Sequence, residues 1–356
     1  MPNKLQQYFP MIRTKKEILQ EIHNNDSFSI LFSEWSSEEQ TQFLDFCSGH
    51  KGLKILYDSF FKEIMNPEST PERLEQLLSL ILKQEVHILR VLPNDTVRLA
   101  DEVSLLTTDI VVELENGTIA NVEIQKIGYH FPGQRCACYS SDLLLRQYKR
   151  IRSEKKKKFV YKDIRDVYTI VFFESSPAAF HKFPDTYLHH FQQRSDTGLE
   201  MELLQKNFFI PLDIFREKLH NNGITNLLDA WLAFLCEDEP EIIVSLIQAY
   251  PQFKPMYEQI YEICLNMEEI MGLFSKELQI LDRNTVRFMI DEMQDELNSL
   301  RQEKDSLLQE MDSLSRKKDS MIQEKDSQIQ ERDALLEEKD RLIQQLQAQL
   351  EASRRK

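Results

Sequence analysis

The chain has 356 residues, of which 41% are hydrophobic and 10% aromatic, so it can build a real core in about one to three domains. Its formal net charge of −15 argues against a protein that binds polyanions over its whole surface. Nothing at the N-terminus resembles a signal peptide, there is no run of about 18 apolar residues, and the five scattered cysteines favour free thiols. We therefore expect a cytoplasmic protein without a membrane span or a zinc site.

The first part of the chain is predicted to be helical. Residues 1–52 form an N-terminal extension with two capping-box spacings, Thr14 with Glu17 and Ser36 with Glu39. A helix follows from Leu53 to about Met65, and Pro71 opens another. The buried stripe of that second helix is predicted to be Leu74, Leu77, Leu78 and Ile81. Residues 85–91 alternate imperfectly as a strand.

Residues 105–125 are predicted to form a β-hairpin around Asn116-Gly117, because Gly117 tolerates the positive φ of a tight turn. A two-residue loop would pair Ile110 with the charged Glu123. A three-residue loop, residues 115–117, instead pairs Ile110 with Val122, and likewise Val112 with Ala120. We prefer the three-residue loop, since a slip of one residue moves every side chain to the other face.

The preferred register brings two acids together. It places Asp109 opposite Glu123 and Thr107 opposite Gln125, and like charges in that position destabilise a sheet. A divalent cation between them would relieve this cost. Asp109, Glu123 and the backbone carbonyl of Ile124 offer hard oxygen ligands suited to Mg²⁺ or Mn²⁺, and Gln125 could orient a water molecule. The alternative is an ordinary polar hairpin face turned to solvent.

The rest of the core alternates helix and strand. We expect a helix over residues 134–151, with Tyr139, Leu143, Leu144 and Tyr148 facing inward, and a central strand over residues 167–173 that is apolar on both faces. The order from residue 72 is therefore helix, three strands, helix, strand. Residues 207–212 are a further candidate strand. Helices are predicted at about 225–236, 239–249, 254–267 and 268–281.

One segment is strongly basic in this acidic chain. Residues 146–166, here called the basic segment, contain ten Lys or Arg against three acids. It is either a solvated loop or a surface that contacts phosphates. With Arg135 at the start of the same helix, the candidate DNA contacts are Arg135, Arg146, Lys149, Arg150, Arg152, Lys155, Lys156 and Lys157.

From Asp282 onward the chain has neither proline nor glycine and repeats every seven residues. Apolar residues recur at Leu308, Ile322, Ile329, Leu336 and Ile343, which predicts a coiled coil and weak homo-oligomerisation, with a parallel dimer as the default. The alternative is a solitary charged helix. The predicted domains are 1–52, 53–215, 216–284 and 285–356.

Residues 55–173 resemble the PD-(D/E)XK nuclease family transposases, a recombination-promoting nuclease group found in bacteria. The matching pieces are Phe60-Phe61-Lys62, Asp109 to Glu113, Gly117, Val122 to Gln125, Arg135 and Tyr139 to Leu144. The resemblance implies an α/β (α+β) fold with a restriction-endonuclease-like core, added helices and the long C-terminal coiled-coil helix.

The resemblance also implies roles for individual residues. Asp109 and Glu123 would be the metal ligands, and the third motif position, usually Lys, is here Gln125. Lys126 is adjacent but should face the other side of the strand. In such proteins a further acid sometimes comes from the first core helix. The candidates left open here are Glu75, Glu85, Asp101, Glu102 and Glu113.

Three functions follow as hypotheses. The first is a metal-dependent DNA endonuclease of the transposase or recombination-promoting type, with the basic segment contacting DNA. The second is a catalytically weakened relative that binds DNA or assembles with partners. The third is a helical scaffold unrelated to nucleic acid, in which the hairpin is structural.

Overall fold

A computed structural model describes residues 2–92, 109–126, 132–199 and 201–354. Its contacts divide the chain into two compact units, Met1–Val286 and Arg287–Lys356. The N-terminal helices are α1 (Lys4–Tyr8), α2 (Lys15–His23), α3 (Asp26–Glu34), α4 (Ser37–Cys47), α5 (Asp58–Ile64) and α6 (Pro71–Leu82). Both predicted capping boxes are present, at Thr14 and Ser36, because each side chain and its partner three residues later satisfy free backbone N–H groups.

The helix predicted from Leu53 begins five residues later, at Asp58. The prediction was wrong here because the preceding segment bonds to distant backbone. Gly52 N–H donates to the Asp238 carbonyl at 2.6 Å, and Leu56 N–H donates to the Leu235 carbonyl at 3.2 Å. Pro71 does open α6, and all four residues of its predicted stripe are buried.

A mixed sheet lies at the centre of the larger unit. Its strands are β1 (Ile88–Val91), β2 (Ile110–Leu114), β3 (Ile119–Gln125), β4 (Val167–Phe173), β5 (His189–Phe191) and β6 (Gln205–Pro211), in the spatial order β1-β2-β3-β4-β6-β5. β3, β4 and β6 are parallel, and the other pairs are antiparallel. The predicted helix, three strands, helix, strand order is confirmed, as is the buried central position of β4.

The hairpin has the predicted three-residue loop. Ile110 pairs with Val122 and Val112 with Ala120, and the Leu114 N–H donates to the Thr118 carbonyl at 2.8 Å. Gly117 adopts φ +84°, the left-handed conformation that the turn requires. Thr107, which was expected opposite Gln125, lies outside the described residues.

Both faces of the sheet are covered. Val122 and Ile170 belong to the main core, which also includes Phe60 of α5 and Trp231 from a later helix. The opposite face lies under α7 (Pro132–Lys155), where Leu143 packs with Val111, Ile119 and Val167. The alternating polar side of the hairpin is therefore buried, which contradicts the alternative of a solvent-facing polar face.

The remaining helices are α8 (Leu212–Asn222), α9 (Leu227–Cys236), α10 (Pro240–Ala249), α11 (Lys254–Leu265) and α12 (Met267–Arg354). The predicted separate helix at 268–281 and the long helix from Asp282 are in fact one continuous helix. The composition changes near residue 282, but that change alters what the side chains can contact and does not interrupt the backbone hydrogen bonds. None of the described helices is long and apolar enough to cross a membrane.

Candidate active site

Asp109 and Glu123 are held at neighbouring positions on the buried polar face. The Ile124 N–H donates to Asp109 Oδ2 at 2.8 Å, which fixes that carboxylate at the start of β2. Asn121 Nδ2 donates to Glu123 Oε1 at 2.9 Å. Asp109 is 8% exposed and Glu123 is 3% exposed, so the hairpin register has placed two acids side by side away from bulk water.

A lysine faces this pair from α5. Lys62 Nζ lies 3.0 Å from Asp109 Oδ1. Burial lowers the pKa of Lys62, but the charge of Asp109 and its hydrogen bond outweigh burial and raise the pKa overall. Lys62 was among the residues that carry the family resemblance, yet the sequence alone did not assign it to the site.

A third carboxylate, Asp58, lies one helical turn before Lys62. Burial and then the charge of Asp109 raise the pKa of Asp58 to about 6, while Lys126 and Lys62 oppose the rise. The sequence did not single out Asp58. The available signal was its spacing, because residues four apart on a helix share a face with each other.

The electrostatics of Glu123 follow from the same crowding. Burial, followed by the Asp109 charge, raises the pKa of Glu123 well above its usual range. Asn121, Arg135 and Lys62 act in the opposite direction. Ionising Glu123 in this setting is therefore costly, and a bound cation would reduce that cost.

The oxygen donors fit a hard divalent cation. Besides the two carboxylates, the buried Asn121 Oδ1 and Gln125 Oε1 atoms have no hydrogen-bond partner among the described residues. Mg²⁺ is usually held by one or two carboxylates and keeps several waters. Within the described part of the chain, no three His, Cys, Asp or Glu side chains converge as a ready-made metal cluster. A site here would thus rest on two carboxylates, with amide oxygens beside them.

Lys126 makes its direct contacts with Tyr57 and Glu277, although its charge also acts on Asp58 and Asp109. Its Nζ lies 4.4 Å from the centroid of the Tyr57 ring and forms an ion pair with Glu277 of α12. Glu277 is fully buried, and its other oxygen accepts the Ser59 N–H at 3.3 Å. Lys126 therefore ties the end of β3 to α5 and α12.

The acids considered as additional ligands have other partners. Glu75 accepts the Ile88 N–H at 2.7 Å, and Glu85 lies 3.2 Å from His87 Nε2. Glu113 pairs with Arg90 at 2.7 Å and with Arg150 at 2.5 Å. Asp101 and Glu102 lie outside the described residues.

The candidate DNA contacts are distributed along α7 and the turn after it. Arg135, at the site end, donates from Nε to the Tyr139 hydroxyl at 2.9 Å. Arg146 pairs with Asp142 at 2.7 Å and Arg150 reaches Glu113, so both are partly engaged within the fold. The exposed members are Lys149, Arg152, Lys155, Lys156 and Lys157.

A mixed α/β fold with a six-stranded sheet is the architecture expected of a PD-(D/E)XK-type core. The model of the PD-(D/E)XK nuclease family transposases matches residues 55–288, well over half of the chain, and the protein belongs to that family. No curated protein and no solved structure matches the chain.

Proposed function

We propose that this protein is a metal-dependent DNA endonuclease of the recombination-promoting type. The observation that carries the proposal is the buried Asp109–Glu123 pair with Lys62 Nζ 3.0 Å from Asp109. Burying two like charges side by side is costly, and a structural hairpin would gain nothing from it. The family membership makes DNA the expected substrate.

Each residue has a distinct role in the proposed hydrolysis. Asp109, Glu123 and the Ile124 carbonyl would hold Mg²⁺ or Mn²⁺, which when bound would supply a Lewis acid and an activated water. Gln125 would orient the attacking water through its amide oxygen, which has no partner among the described residues. Lys62 would provide the positive charge that a motif lysine supplies in most relatives, from a helix rather than from β3. Asp58 would keep Lys62 in position.

Two further proposals concern the whole protein. The heptad repeat of α12 supports weak homo-oligomerisation, because its apolar positions have no cover within the described chain. The five free cysteines suit a reducing compartment, which supports a cytoplasmic location.

Plasmid nicking tests the catalytic proposal. Purified protein is incubated with supercoiled DNA and either Mg²⁺ or Mn²⁺, and nicked product is measured on a gel. We expect nicking that disappears in EDTA and falls by at least about 100-fold in Asp109→Ala and Glu123→Ala, since each removes a metal ligand.

Glu115→Ala is the matched control, because Glu115 is an exposed acid in the loop of the same hairpin. It should nick at the wild-type rate. If the wild-type protein binds DNA but never cuts supercoiled, linear or single-stranded forms with either metal, the endonuclease proposal fails. The catalytically weakened DNA-binding protein would then be the correct description.

A further inference from the structure

Three aromatic rings form an exposed cluster where α7 ends. Tyr148 and Tyr161 are stacked, with ring centroids 6.3 Å apart and planes at 10°. Phe159 packs edge-on against both, at 5.6 Å from Tyr148 and 5.5 Å from Tyr161. Tyr161 is nevertheless 76% exposed, and the neighbouring Val160 is 55% exposed. This aromatic cluster thus presents an apolar ring to solvent, which the hydrophobic effect alone disfavours.

The aromatic cluster lies inside the basic segment. Arg152 is 5.5 Å from the centroid of the Tyr148 ring. The lysines that follow α7 are exposed, and among them Lys155 pairs with Asp163 at 2.5 Å. Residues 146–166 carry ten cationic side chains against three acids, so the surroundings of the exposed ring favour the binding of a polyanion.

The aromatic cluster is well separated from the acids along α7. Arg135 and Tyr139, in the first turns of α7, interact with Glu123, whereas Gln147 Nε2 donates to the Gly117 carbonyl at the hairpin turn. Tyr148 follows Tyr139 by nine residues, a rise of roughly 13 Å at 1.5 Å per residue. The exposed rings therefore lie toward the hairpin-turn end of the sheet, and the carboxylates lie toward the other end.

We propose that the aromatic cluster is a stacking platform for unpaired DNA bases, with Tyr161 as the ring that a base covers. Aromatic rings set in a basic groove are the usual means of binding single strands without sequence preference. In a duplex the bases already stack on each other and present only their edges, so an exposed ring gains little there. The choice of DNA rests on the proposed endonuclease function; the stacking argument rests on the rings and charges.

DNA binding by the full-length protein, measured in EDTA, tests the stacking platform separately from cleavage. Fluorescence anisotropy is measured with a labelled oligothymidylate and with a labelled blunt-ended duplex of equal length, which has no unpaired bases. Tyr161→Ala should weaken binding of the single strand by about 5- to 100-fold, the range for loss of one stacked base. Its binding to the duplex should change less than about twofold. Tyr161→Phe should bind the single strand as the wild type does, because it keeps the ring.

Two further variants control for general effects. Phe183→Ala removes an exposed aromatic ring (58% exposed) outside the basic segment, and should leave binding of both DNA forms unchanged. Lys157→Gln should weaken both forms and reduce the salt dependence of single-strand binding by about 0.7 in slope for one lost phosphate contact.

The proposal is overturned if Tyr161→Ala binds the single strand like the wild type, or if it loses duplex binding to the same extent. A protein that never nicks but shows the Tyr161 effect would refute the endonuclease and support the platform. Normal nicking without an effect of Tyr161→Ala would support the endonuclease and refute the platform.

Discussion

Glu123 and Glu113 are two buried glutamates on neighbouring strands whose surroundings have opposite character. Glu123 lies beside the like charge of Asp109, and burial together with that charge raises its pKa. Glu113, 6% exposed, is compensated by Arg90 and Arg150. A buried carboxylate is therefore destabilising at position 123 and part of an ion-pair network at position 113.

We expect Glu123→Gln to stabilise the protein when no metal is present. The substitution keeps the shape and the oxygen that accepts from Asn121, but removes the charge that repels Asp109. In EDTA at neutral pH the free energy of unfolding should rise by about 1–2 kcal/mol, measured by urea denaturation. Added Mg²⁺ should then stabilise the wild type and not the variant.

Glu113→Gln is the matched control, and we expect it to change the free energy of unfolding in the opposite direction. It leaves Arg90 and Arg150 without their shared partner and should lower the free energy of unfolding by about 1–3 kcal/mol. If both variants destabilise the protein in EDTA, Glu123 is not under electrostatic strain, and the metal-site argument loses its main support.

At the scale of elements, one lysine comes from α5 and another directly follows β3, and the two lysines have different roles. Lys62 of α5 reaches Asp109, and its side chain is 39% exposed. Lys126, just after β3, is 8% exposed and pairs with the fully buried Glu277. Lys62 therefore lies at the proposed reaction site, whereas Lys126 holds the end of β3 against α5 and α12.

Lys62→Met and Lys126→Met should therefore separate activity from stability. Lys62→Met should reduce plasmid nicking by about 100-fold or more, the usual loss when a positioned charge is removed, with little change in melting temperature. Lys126→Met leaves Glu277 as an uncompensated buried charge and should cost about 3–5 kcal/mol of stability, while the folded fraction nicks normally. Normal nicking by Lys62→Met would remove Lys62 from the proposed mechanism.

At the scale of the whole molecule, the long helix α12 exposes an apolar stripe. Leu308 is 45% exposed, Leu336 is 58% exposed and Ile343 is 51% exposed. Apolar residues that repeat every seven positions are buried when helices associate as a coiled coil. We therefore expect the full-length protein to form a homo-oligomer of modest affinity.

The double variant Leu308→Lys/Leu336→Lys should shift the protein to monomer, as measured by light scattering after size-exclusion chromatography across a concentration series. Ser306→Lys/Ala334→Lys adds the same charges two residues earlier, about 200° around the helix, and should retain the oligomer. A wild-type protein that is monomeric at all concentrations would contradict the coiled-coil prediction.

The sequence by itself determined the features that depend on local spacing. The capping boxes at Thr14 and Ser36 need only residues three apart, and the hairpin register follows from matching apolar residues across one short loop. That register was sufficient to place Asp109 opposite Glu123. The apolar run of residues 167–173 likewise identified β4 as the central strand, because a strand covered on both faces has no polar side.

Only the tertiary structure decided what surrounds that pair. Lys62 and Asp58 are more than 40 positions before Asp109 in the sequence, and no local pattern links a helix surface to a strand edge at that separation. The burial of the polar hairpin face under α7 and the later start of α5 also depend on contacts between distant segments. Periodicity shows which side of an element is apolar, whereas packing decides what covers each side, and so whether a polar face becomes a solvated surface or a buried site.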